Sequence, residues 1–170
     1  MEETMIQTGE ISEETATITE GMKITGNVDS NGHMDVLGTI VGNINIAGKL
    51  NVSGSVTGDS KANEIFADGA EITGEVCAVG SIKVGQSSVI IGNITATSAV
   101  IAGAVKGDID VKGPVILDSS AIIMGNIKSM SVQINNGAVI EGMCSQCYAK
   151  VSPSSFFEEF KKTANNISGK

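Results

Sequence analysis

MKITGNVDSNGHMDVLGTIVGNINIAGKLNVSGSVTGDSKA, residues 22–62, decides the fold. Nearly every even-numbered position in it is apolar or glycine: Met22, Ile24, Gly26, Val28, Met34, Val36, Ile40, Ile44, Ile46, Leu50, Val52 and Val56, with Gly32, Gly38, Gly42, Gly48, Gly54 and Gly58 between them. Nearly every odd position is polar. Side chains alternate faces along a strand, so a period of two held over this length means one buried face kept in phase through several turns of chain. A helix would need a period of 3.6.

Glycine supplies the punctuation. Gly26, Gly32 and Gly38 are spaced by six, Gly42 follows after four, and Gly42, Gly48, Gly54 and Gly58 repeat that rhythm. Each such unit reads as one three-sided coil. One marker glycine per coil, at Gly26, Gly42, Gly58, Gly74, Gly92, Gly107, Gly125 and Gly142, extends the repeat at spacings of 16, 16, 16, 18, 15, 18 and 17. Self-similarity at a fixed period marks a solenoid. An odd coil length must move the buried face to the other parity, and it does: after the coil of 15 the apolar set becomes Val105, Ile109, Val111, Val115, Leu117, Ala121, Ile123 and Ile127. After the coil of 17 it is even again, as Ile134, Ala138, Ile140 and Cys144. Lys23, Lys49, Lys61, Lys83, Lys106, Lys112 and Lys128 all fall on the outward parity. A charge-avoiding interior explains that.

The fold class is therefore all-β: a single-domain parallel β-helix with three short faces and about seven coils, flanked by tails. A left-handed hexapeptide helix wants a large residue followed four places later by a small one. Here Ile40 is followed by Ile44, Ile46 by Leu50 and Val52 by Val56, which favours the right-handed form. The expected boundaries are an acidic, disordered tail over 1–17, the β-helix over 18–150, and a tail over 151–170. In that last tail Ser155 and Glu158 make a capping box for a short amphipathic helix carrying Phe156, Phe157 and Phe160.

Composition narrows the function. The chain has 170 residues, and its eleven basic residues are all lysine, against nineteen Asp and Glu, for a net charge of -8. Without arginine's planar fork, and with that charge, nucleic acid is not an expected partner. No run of about 18 apolar residues could span a bilayer, and the acidic start is unlike a secretory signal. The expected location is the cytoplasm, with free thiols at Cys77, Cys144 and Cys147.

The residues with chemical potential are few. His33 is the lone histidine, too few for a zinc site, and no protruding loop accompanies it as in the acyltransferases built on hexapeptide repeats. Cys144 and Cys147 have the spacing of half a zinc site or a redox pair, but Cys144 stands at an inward position. Asp108 and Asp110 read as a solvated face. The pairs Thr17-x-Thr19 and Thr95-x-Thr97 do not recur coil after coil as an ice-binding ladder would. No catalytic residue, cofactor or metal is expected.

Gly-Asn-Val at 26–28, Gly-Asn-Ile at 42–44, 92–94 and 125–127, and Gly-Asp-Ile at 107–109, preceded by pairs such as Ile24-Thr25 and Ile123-Met124, resemble the repeats of the bactofilins. The resemblance runs from about Ile18 to Tyr148. It implies a right-handed β-helix that joins end to end into non-polar, nucleotide-independent cytoskeletal filaments, serving bacterial cell shape and the scaffolding of envelope or cell-wall-associated proteins at the inner face of the membrane. Many members carry a short apolar or basic membrane-targeting segment at the amino terminus. The first seventeen residues here hold Glu2, Glu3, Glu10, Glu13 and Glu14 instead, which leaves direct membrane binding open.

The architecture points the same way. A stack of coils has open hydrogen-bonding edges at both ends, which are templates for another chain. The expected polymerisation interface comprises Ile18, Met22, Ile24 and Val28 at one end and Val132, Ile134, Ile140 and Cys144 at the other. A second expected contact is an outward apolar strip of Val89, Ile91, Ile122 and Met124, open either to a lateral partner or to the tail helix with Phe156, Phe157 and Phe160. Two rival readings remain: an enzyme of the left-handed hexapeptide class, and a β-helical binding scaffold that does not polymerise.

Overall fold

The computed structural model describes residues 14–148 together with Glu158 and Lys161. Residues 14–148 wind into three parallel sheets of eight strands each, and successive strands move in turn to the first, second and third sheet. Sheet 1 runs from Thr15–Ile18 to Ser131–Ile134, sheet 2 from Lys23–Thr25 to Val139–Glu141, and sheet 3 from Val28–Ser30 to Cys144–Ser145. One strand from each sheet makes a coil. There are eight coils, close to the seven or so expected, and about 4.8 Å between neighbours gives a rod about 34 Å from first coil to last. Coil 1 begins at Thr15, three residues before the expected start, because Thr15–Ile18 pairs with His33–Val36. The expected disorder over 1–17 otherwise lies outside the described residues, as do Phe156, Phe157 and Phe160. Glu158 and Lys161 are helical and exposed.

The inward columns form one aliphatic core. Ile40, Leu50, Ile72, Ile90, Ile101, Leu117 and Ile123 are among its fully buried members, and it holds no aromatic side chain among the described residues. Each coil presents like to like: Ile40 lies over Val56, Ile72 over Ile90, and Ile94 over Ile109. At roughly 2 kcal/mol per fully buried aliphatic side chain, this column of contacts is the main stabilising term.

Coil length varies at two corners only. The corner between sheets 2 and 3 is always two residues, a glycine and its successor. The corner between sheets 1 and 2 takes two to four, and that between sheets 3 and 1 takes one or two. The interval from Gly58 to Gly74 keeps a 16-residue period because the single-residue corner at Asn63 is balanced by three residues at 68–70.

Candidate functional site: the two ends of the coil stack

The constant corner is built from the repeated Gly-Asx pair. Gly26, Gly42, Gly58, Gly74, Gly92, Gly107, Gly125 and Gly142 all have positive φ and stack in one column. A Cβ on Gly42 would land on the Gly26 carbonyl, and the same overlap recurs down the column to Gly142 on Gly125. The residue after each glycine then reaches along the rod. Asn27 Oδ1 accepts from the Asn43 N–H at 3.2 Å, Asn43 Oδ1 from the Asp59 N–H at 3.1 Å, and Asp59 Oδ1 from the Glu75 N–H at 3.1 Å. After a gap at Glu75 the ladder resumes from Asn93 to Asp108, Asn126 and finally Met143. Corner donors that a coil cannot satisfy alone are thus satisfied by the coil before. At the last coil Met143 has no side-chain acceptor to offer.

Among the described residues both ends are open edges. The strands of coil 1 and of coil 8 are each paired on one side only. Inward side chains that would be sealed in the middle of the rod are uncovered there. Ile24 lies over Ile40, and Val28 over Ile44, yet both are half-exposed while their partners are buried. At the other end Val132 lies under Val115, Ile134 under Leu117, Ile140 under Ile123 and Cys144 under Ile127. Ile134 is 50% exposed where Leu117 is 0%. Met22 is 46% exposed at the first end. Ile18 is the exception among the expected end residues: only 4% of it is exposed, so a second molecule would cover little more of it.

Cys144 is inward, as its parity requires, and partial burial raises its thiol pKa above the usual range. It, Cys147 and Cys77 are free thiols, and no cluster of three or more metal-ligating side chains exists among the described residues. His33 has a structural task, its Nδ1 accepting the Lys49 N–H at 2.9 Å across a corner.

Asp110 belongs to a contact the sequence did not show. The Tyr148 hydroxyl donates to Asp110 Oδ1 at 2.8 Å, and Lys112 Nζ sits 4.5 Å from the centre of the Tyr148 ring. Asp110 and Lys112 belong to coil 6, so by Tyr148 the chain has turned back along the outside of the rod. A tyrosine followed by no repeat residue was the available signal, but nothing in the spacing named its partner.

The expected outward strip lies on sheet 2. Through coils 1 to 4 this face carries mainly hydroxyls and charges, from Lys23 and Thr25 to Glu71 and Thr73. From coil 5 onward it carries Val89 and Ile91, Ala104 and Lys106, Ile122 and Met124, then Val139 and Glu141. Val89, Ile91, Ile122, Met124 and Val139 are all exposed. Val139 extends the strip by one coil, and counting back three from Gly142 would have found it.

A family model described as Bactofilin, polymer-forming cytoskeletal, matches residues 56–145, just over half of the 170. No curated protein and no solved structure matches the chain. The matched segment covers the stacked Gly-Asx corners from coil 3 to the final strand and the whole carboxyl-terminal open end. With that match on the same repeat that builds the fold, the chain belongs to the bactofilin family.

Proposed function

We propose that this protein polymerises end to end, without nucleotide, into non-polar filaments that act as a scaffold. The observation that carries the reading is the pair of ends that, among the described residues, leave strand edges open and inward apolar side chains uncovered. Joining two such ends continues backbone pairing and buries Met22, Ile24 and Val28 or Val132, Ile134 and Ile140, each worth about 1–2 kcal/mol. Family membership supports the non-polar order. Assembly on this reading is passive, driven by concentration and needing no catalytic residue. We place the filament in the cytoplasm, at the inner face of the membrane, holding envelope or cell-wall-associated proteins; family membership supports this. No helix among the described residues is long and apolar enough to cross a membrane.

Electron microscopy with sedimentation tests it. Val28→Asp and Ile140→Lys each put an unpaired charge into one end, costing several kcal/mol at a junction. Each residue is only partly buried in the single rod, so the fold should survive. Each single mutant should stop at short oligomers and the double mutant at monomers, while Lys83→Glu, outward on sheet 1, should form normal filaments. Full-length filaments from the double mutant would refute end-to-end stacking.

A further inference from the structure

The outward face of sheet 2 over coils 6 to 8 holds six side chains in two columns. Ala104, Ile122 and Val139 form one, and Lys106, Met124 and Glu141 the other. Ile122 and Val139 are more than half exposed, at 54% and 55%. Among the described residues Lys106 and Glu141 make no ion pair, although each is the sole charge within an apolar surround.

We propose that this face binds the same face of a second copy, antiparallel, about a two-fold axis running along the coil 7 strand. Such an axis keeps position along the strand and reverses the order of coils. Coil 7 then meets coil 7, and coil 6 meets coil 8. Lys106 of each copy faces Glu141 of the other, Ala104 faces Val139, and Ile122 and Met124 pack on their counterparts. Other registers leave the charges mismatched. Moving the axis half a coil one way sets Lys106 against Met124, and half a coil the other way sets Met124 against Glu141. A full coil toward the amino-terminal end opposes Lys106 to Lys106. A two-fold axis along the rod exchanges the columns, so that Lys106 meets Ala104 and Glu141 meets Val139. Charges lodged against apolar groups or like charges select against these alternatives.

The contact is small. Three strands of three residues cover on the order of 150 Å² per copy, against about 800 Å² per partner in a stable pair. Two free rods would therefore separate. Along a non-polar filament the same contact recurs at every second subunit, and each one formed raises the effective concentration for the next. The inference thus rests on end-to-end assembly: side-by-side pairing appears only once filaments exist.

Charge reversal tests it, read by counting paired and single filaments in electron micrographs while sedimentation measures total polymer. Lys106→Glu and Glu141→Lys should each lower the paired fraction at least ~5-fold with total polymer unchanged. The double reversal, Lys106→Glu with Glu141→Lys, should restore pairing. Pairing that ignores both single reversals would overturn the lateral contact and leave end-to-end assembly standing. Absence of any polymer from the unmodified chain would remove both. Ile122→Lys separates the remaining occupant: a lower melting temperature with unchanged pairing would assign the face to the chain's own carboxyl-terminal segment and overturn the proposal.

Discussion

Gly74 shows at one residue why the marker glycines recur. Its φ of +137° is closed to side chains, and a Cβ there would overlap the Gly58 carbonyl of the coil before. Both penalties follow from coils packed at strand spacing, since a corner that close leaves no room for a methyl group. Gly69 separates the two effects, because its φ of +68° is left-handed but nothing lies within 4 Å of a Cβ placed there. Gly69→Ala should cost about 1 kcal/mol, the left-handed penalty alone. Gly74→Ala should cost at least ~3 kcal/mol, from strain and collision together. Denaturant unfolding of the two mutants measures the difference, and equal losses would mean that the stacked corners yield easily. The glycine rhythm was legible from spacing, but the reason for its rigidity was not. A sequence shows that glycine recurs and is silent on whose carbonyl stands above it.

Two fully buried serines in and beside sheet 3 break the aliphatic rule. Ser60 lies between Ile44 and Val76, and Ser129 is likewise buried; neither hydroxyl has a hydrogen-bond partner. A buried hydroxyl left unpaired costs about 1–3 kcal/mol. Ser60→Ala removes that cost with little change in volume. It should raise the unfolding free energy by up to ~1 kcal/mol, seen as a higher melting midpoint with assembly unaltered. A loss of stability would show that Ser60 has a partner, such as an internal water. Strand assignment at this scale followed from period-two alternation. The corners between sheets 1 and 2 did not, because their length alters parity without altering which residues are apolar.

The described residues form a rod with a closed middle and open ends, and its cysteines report on each. Cys144 points into the carboxyl-terminal end, and Cys77 points outward on sheet 3, between Lys61 and Thr95 in adjacent coils. Partial burial already raises the Cys144 pKa, so little of it is thiolate near neutral pH and its alkylation should speed up as pH rises. Capping of that end by a second rod, as proposed, would bury it further. Alkylation followed by mass spectrometry, at fixed pH, should find Cys144 slowed at least ~10-fold on assembly and Cys77 changed less than ~2-fold. Equal rates at Cys144 in monomer and filament would place the junction elsewhere.

Sequence alone determined the winding of this chain. Inward and outward parity, the coil markers and the outward lysines all follow from local alternation at a repeated period, because each coil faces the same surroundings as the next. The inward placement of Val132, Ile134, Ile140 and Cys144 was readable for the same reason. Tertiary structure decided what depends on neighbours in other coils. Ile18 is covered where Met22 is not, the Asx ladder stops at Met143, and Tyr148 turns the chain back onto Asp110. Lys106 and Glu141 come to lie in one column, 35 residues apart in sequence and two coils apart in space. Periodicity fixes which way a side chain points; only the stacked coils decide what it meets there.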